Sequence, residues 1–209
     1  MMFGASWRVW EYCLQRASAE LGPALGGRRQ WMLDACVVEI HSRLHRLNEA
    51  LSLLQRNREI GERAGDQDLL YATQIASCEV YLNAGDYPLA REAAQRALAL
   101  AHVLGDAIAQ ADAHINLGRA LLGWAQAPEA EEHLHRALTL AERAGNMPYQ
   151  AKARLFLGHA AGARAHWDEA LTCFQQALSL VAGYGDEVGR GVILSNIGLA
   201  LTRLERWGE

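Results

Sequence analysis

Few residues in this chain fall at spacings that could support chemistry. His41 and His45 are four apart, a separation that sets two imidazoles on one helix face and could offer them to one metal ion. The spacing marks no third ligand, so surface or groove histidines are the better reading. His133 and His135 are two apart and diverge on a helix. Gly183-Tyr184-Gly185 and Gly189-Arg190-Gly191 have the composition of a phosphate-cradling loop, but no strand precedes them and turn chemistry explains them better. Glu131-Glu132 reads as solvated charge on the polar side of a helix. Neither G-x-S-x-G nor H-E-x-x-H occurs, and no phosphate loop is present. The chain is therefore read as non-catalytic, with no cofactor, no catalytic residue and no metal site.

The elements that would position any site come from a repeat. Gly65, Gly105, Gly145 and Gly185 fall forty residues apart, each followed by Asp or Asn (Asp66, Asp106, Asn146, Asp186). Ala50, Ala90, Ala130 and Ala170 share one phase, and Ala97, Ala137 and Ala177 share another. A period between about 20 and 50 residues marks a solenoid or propeller. The apolar stripe Ala113, Leu117, Ala120, Leu121 and the next one, Ala130, Leu134, Ala137, Leu138, Ala141, advance by three and four, so each repeat holds two helices. Glycine ends a helix in the left-handed conformation and the Asp or Asn behind it caps the next, which makes each pair a joint between repeats. Pro88 and Pro128 suit the first turn of the second helix. Each helix should run about 16 to 18 residues, roughly 25 Å.

His114-x-x-Leu117-Gly118-x-x-Leu121 followed by Ala130-x-x-x-Leu134 resembles the tetratricopeptide repeat pattern, and Arg154, Leu157, Gly158, Ala161, Ala170 and Phe174 repeat it. Leu194, Ile197, Gly198 and Leu201 begin it again. Small residues at Gly118, Gly158 and Gly198 would let neighbouring helices approach. The chain departs from the family's usual 34-residue repeat and its opening aromatic, since Gln74, His114, Arg154 and Leu194 stand in that column. It looks like the longer-helix variant found in bacterial regulators. The resemblance implies an all-α fold, a right-handed α-solenoid of antiparallel helix pairs. Residues 28–66 are a degenerate first repeat, with Val38 where glycine is expected and Asn57 in an alanine column. Repeats two to four cover 67–106, 107–146 and 147–186. Residues 187–209 open a fifth, and residues 1–27 hold a helix over 6–21 that could end a preceding repeat. The apolar face of a helix at 187–204 would then be uncovered, as in a fragment of a longer repeat protein.

Composition narrows the partners. The formal charge is −4 with acids and arginines interspersed, so there is no continuous basic footprint for direct nucleic-acid binding. Apolar residues reach 51%, much of it alanine, and no run is long enough to span a membrane. The start lacks a basic segment followed by an apolar core, which leaves a cytoplasmic protein as the expectation. Cys13, Cys36, Cys78 and Cys173 form no C-x-x-C pair and read as reduced core residues. Lys152 is the only lysine, an arginine bias that with the alanine content suggests a GC-rich bacterial source.

What the resemblance implies for function is a partner-binding groove along the first helices, holding a protein or peptide ligand on the concave face. Carried over by phase, the groove residues are Glu79 and Asn83; Asp112, Asn116 and Arg119; Lys152, Phe156 and His159; and Asn196, Leu199 and Arg203. Asn116 and Asn196 are the leading candidates, because a side-chain amide donates to and accepts from a peptide backbone at once. The expected role is an interaction module, the regulatory part of a bacterial signalling or transcription regulator. Two alternatives stay open: a fragment of a multidomain signalling enzyme whose ATPase or cyclase domain lies elsewhere, and a scaffold that self-associates through open solenoid ends.

Overall fold

The computed structural model describes Arg16 and residues 27–205, and its described regular structure is entirely helical. The expected helix over 6–21, apart from Arg16, and residues 206–209 lie outside the described residues. The helices are α1 (Gly27–Arg43), α2 (Leu47–Ala64), α3 (Gln67–Ala84), α4 (Tyr87–Leu104), α5 (Ala107–Gly123), α6 (Ala127–Arg143), α7 (Met147–Ala163), α8 (Trp167–Tyr184) and α9 (Glu187–Arg203). The fold is an all-α helical repeat solenoid. The chain divides after Leu104 into two compact units.

The joints follow from local chemistry. Gly65, Gly105, Gly145 and Gly185 all adopt the left-handed conformation, with φ between 63° and 76°. The side chains of Asp66, Asp106, Asn146 and Asp186 accept hydrogen bonds from the amides of Leu69, Ile108, Tyr149 and Gly189, which opens α3, α5, α7 and α9. Gly185 is thus a helix end and Gly189 part of a cap, in keeping with turn chemistry. A left-handed residue also falls midway between these joints, at His45, Gly85, Ala125, Ala165 and Glu205. At Ala125 the following amide, Gln126 N–H, bonds the carbonyl of Leu121 at 2.8 Å, and His166 N–H bonds Ala161 at 2.9 Å in the same way. This six-to-one closure is the Schellman turn, here formed without glycine. His45 sits in such a turn and is exposed while His41 is buried within α1, so the two are not neighbours on one helix face.

In the first unit α1 packs on α2 and on α3, and α3 packs on α4. In the second unit each helix from α5 to α8 packs on the next, and α5 also packs on α7. The alanine columns are the seams: Ala50, Ala90, Ala130 and Ala170 are fully buried, as are Ala97, Ala137 and Ala177. At Gly118 an added Cβ would lie 2.7 Å from Leu134 Cγ, and at Gly158 it would collide with the ring of Phe174. Both glycines therefore set how closely a helix pair approaches. Gly198 differs from the expectation, since nothing lies within 4 Å of its added Cβ. Val38 takes the glycine column in α1 and is buried beside Ala50, Leu54 and Val80.

Polar groups also tie helices together. Asp34 on α1 is fully buried and accepts from Gln30 Nε2 at 2.8 Å and from Arg56 Nε on α2 at 2.8 Å, with Arg56 Nη2 closing a second bond. Glu131, expected to be solvated, is half-buried and accepts from Arg164 at 2.5 Å, which fastens α6 to the end of α7. Among the described cysteines Cys78 is buried and Cys173 half-buried, but Cys36 is exposed, contrary to the core reading.

Candidate partner-binding face

The first helices of the pairs in the second unit, α5, α7 and α9, carry most of the expected groove residues. Asn116, Arg119, Phe156, His159 and Asn196 meet there in one chain of contacts. Asn116 Oδ1 accepts from Arg119 Nη1 at 2.8 Å, and the Arg119 guanidinium lies over the Phe156 ring, 5.5 Å from its centroid. Phe156 meets His159 edge-on at 5.4 Å, and His159 meets Phe174 of α8 in the same manner at 5.5 Å. His159 Nε2 lies 3.0 Å from Asn196 Oδ1, which joins α7 to α9.

The two asparagines each bond within their own helix. Asn116 is only 3% exposed, and its Nδ2 donates to the Asp112 carbonyl at 3.0 Å. Asn196 Nδ2 donates to the Val192 carbonyl at 2.9 Å. In both residues a bond back to the preceding turn fixes the amide, leaving Oδ1 to orient a second side chain. The physical reason is that a short amide on a packed helix reaches its own turn before it reaches solvent. Their Oδ1 atoms meet Arg119 and His159, with Asn116 buried and Asn196 half-exposed.

What reaches outward is cationic. Lys152 Nζ stands 5.0 Å from the centroid of the Tyr149 ring, and Arg203 lies 5.6 Å from that of Trp167. With Arg119 over Phe156, three successive first helices each hold a cation above an aromatic ring, a geometry that narrows the side chain's freedom; Lys152 and Arg203 are exposed and Arg119 is half-buried. Trp167 was not legible as a partner of Arg203, because a cation and a ring on different helices share no sequence spacing, whereas Tyr149 and Lys152 are three apart on α7. Asp112 is the acidic residue of the expected set in this unit and is half-buried.

Glu79 and Asn83 belong to α3, in the other unit. Glu79 is half-buried, and Asn83 Nδ2 donates to Ser42 Oγ on α1 at 2.8 Å.

Burial pushes the His159 imidazole below its ordinary pKa, and the hydrogen bond to Asn196 opposes that shift. Burial, then the nearby Glu169 carboxylate, pushes the Cys173 thiol up, which keeps it protonated and weakly nucleophilic. No cluster of three or more His, Cys, Asp or Glu residues that could hold a metal ion occurs among the described residues. His133 turns inward and stacks on His114, with the Nδ1 atoms 3.0 Å apart, while His135 is exposed.

Comparison with known proteins agrees with this geometry. Residues 70–143 match the tetratricopeptide repeat family. No curated protein matches the chain significantly by sequence. Among solved structures, BtubC from P. vanneervenii superposes with a TM-score of 0.72 at 19% identity, covering 97% of this chain and 83% of that one. The apo form of RapI gives 0.75 at 13% identity, covering 97% and 58%. A signal-transduction ATPase with numerous domains and a tetratricopeptide repeat sensor, from Pyrococcus horikoshii, gives 0.75 at 13%, covering 93% and 31%. These are likenesses of fold, and the chain spans little more than half of RapI and under a third of the ATPase.

Proposed function

We propose that this chain, whose tetratricopeptide repeat match spans residues 70–143, is a non-catalytic interaction module that binds an acidic peptide segment of a protein partner. The observation that carries the reading is the row of cations on aromatic rings along α5, α7 and α9: Arg119 on Phe156, Lys152 on Tyr149 and Arg203 on Trp167. Carboxylates of an extended peptide would pair with these charges, and the rings would cover its apolar atoms. Asn116, His159 and Asn196 act as positioning residues, and Asp112 disfavours an acidic group at that end of the row. Glu79 and Asn83 stay candidates on α3 of the first unit. Helix pairs α1–α2, α3–α4, α5–α6 and α7–α8 are read as repeats over 28–66, 67–106, 107–146 and 147–186, with α9 opening a fifth.

The wider role is read as regulatory, within a bacterial signalling or transcription regulator acting in the cytoplasm. The fold likeness to RapI and to the sensor of a signalling ATPase supports it. Among the described helices none is long and apolar enough to cross a membrane. A second reading, self-association, is favoured by α9, where Val188 is 81% exposed and Val192, Leu194 and Leu199 are also exposed.

The test is selection of displayed peptides on the immobilised chain, followed by titration calorimetry of the enriched peptides. Arg119→Glu with Arg203→Glu should weaken acidic peptides at least about tenfold and steepen with lowered salt. Enrichment without acidic character, or affinity unchanged in the double variant, would remove the reading.

A further inference from the structure

The first unit contains a cavity of about 350 Å³ between α2, α3 and α4, remote in sequence from the face on α5, α7 and α9. Gln74 lines it. This residue is 9% exposed, yet its amide makes no hydrogen bond to any described residue. The side chain is packed in while its amide opens onto the cavity, where a group that enters from outside can reach it. In the second unit the same repeat column is tied down: His114 stacks on His133, and Arg154 bonds Gln176 and Glu142 across helices. Gln74 alone among these three faces open space.

The rest of the lining specifies the chemistry. Arg58 and Arg96 bring two guanidinium groups to the cavity, and Glu92 is the one acidic residue there. Glu92 is already bonded to Arg96 at 2.5 Å, so among the lining residues one guanidinium, that of Arg58, is in excess, with Glu62 beside it outside the lining. Arg58 Nη2 donates to Gln55 at 2.6 Å, and its Nε, which makes no hydrogen bond, stands 3.6 Å from the Glu62 carboxylate. The Arg58 guanidinium, which has further N–H groups, and the Gln74 amide are donors suited to a carboxylate. Leu51, Leu54, Leu89 and Ala93 supply an apolar wall. Thr73 and Ser77 do not compete as donors, since each hydroxyl bonds a carbonyl of its own helix. The volume lies at the small end of ligand pockets.

We propose that this cavity binds a small amphipathic monocarboxylate, its carboxylate held by Arg58 and Gln74 and its apolar body against Leu51, Leu54 and Leu89. The column is one where the repeat family places an aromatic side chain, so Gln74→Phe fills the cavity with the residue type the fold accepts there. Hexanoate, phenylacetate and indole-3-acetate serve as probes on the full chain, with hexanol and hexanamide as uncharged controls. Calorimetry should give saturable binding at one site by at least one carboxylate, at least about tenfold tighter than its uncharged control. The side-chain amide signals of Gln74 in a nitrogen-15 spectrum should move with it. Gln74→Phe and Arg58→Gln should each lose binding while retaining helicity, and either variant suffices if the other fails to fold. Absence of saturable binding by all three carboxylates, equal binding of hexanol and hexanoate, or full binding by folded Gln74→Phe would each overturn the site. Water alone as the occupant would show as the first of these.

Discussion

Nε2 of His159 on α7 stands 3.0 Å from Oδ1 of Asn196 on α9, and the direction of that bond is fixed. Asn196 Nδ2 is already committed to the Val192 carbonyl, so Oδ1 faces the imidazole and His159 donates from Nε2. The ring is wedged between the edges of Phe156 and Phe174. A single side chain therefore links the face of α7 to α8 and α9, and its protonation state matters to the fold.

Because burial lowers its pKa, His159 stays neutral in the folded chain at a pH where the unfolded chain has already taken up a proton. Between the depressed folded value and the ordinary value near 6.5, the unfolded state holds more protons, so stability rises with pH through that window and is complete above it. The melting temperature should fall on acidification from about pH 7.5 to about pH 5, and His159→Gln should fall less. Identical pH profiles for the two proteins would show that His159 is not the group responsible.

Gly158 abuts the Phe174 ring, and a rigid ring cannot yield as a flexible chain end can. Gly158→Ala should cost about 1–3 kcal/mol by overpacking. Phe174→Leu in the same chain should recover part of that loss, a non-additivity measurable by denaturant titration of the two single variants and the double. Simple additivity would mean that the two residues do not constrain each other.

Ala125 and Ala165 are held at φ 58° and 61°. An L-residue there pays the strain that glycine avoids, so Ala125→Gly or Ala165→Gly should stabilise by about 0.5–1 kcal/mol, the relief of strain exceeding the added chain entropy. Gly85→Ala, at φ 76°, should destabilise by about 1 kcal/mol. Thermal denaturation of the three variants tests the opposite signs directly.

Arg56 caps a carboxylate with no exposure to solvent, while Arg56 itself is 45% exposed. Arg56→Met would leave the buried Asp34 carboxylate without its arginine, at a cost of about 2–3 kcal/mol, the low end for a broken buried pair because one partner is half in water. Asp34→Asn with Arg56→Met should be less destabilised than Arg56→Met alone. Equal losses would indicate that the charge of Asp34 is not what matters.

The expectation of a helix end at each Gly65, Gly105, Gly145 and Gly185 matched the structure because both ingredients are local: a residue that tolerates positive φ, and a carboxylate or amide within reach of the next turn's amides. The alanine columns were legible for a related reason, since a seam repeated every forty residues must carry the same small side chain each time.

Tertiary packing decided the rest. The turns at His45, Ala125, Ala165 and Glu205 carry no residue type that announces a left-handed bend, and the closure of two packed helices imposes it. Asn116 and Arg119 share a helix at a spacing of three, yet one is buried and the other half-exposed, because what covers Asn116 is fixed by packing rather than by its position along the helix. Asp34 meets Arg56, and Gln74 meets a cavity, across helices whose separation in sequence carries no signature. A one-dimensional repeat determines where helices start, stop and touch, since those depend on short-range chemistry. Which polar groups remain available for a ligand depends on contacts between helices, and only the folded chain decides that.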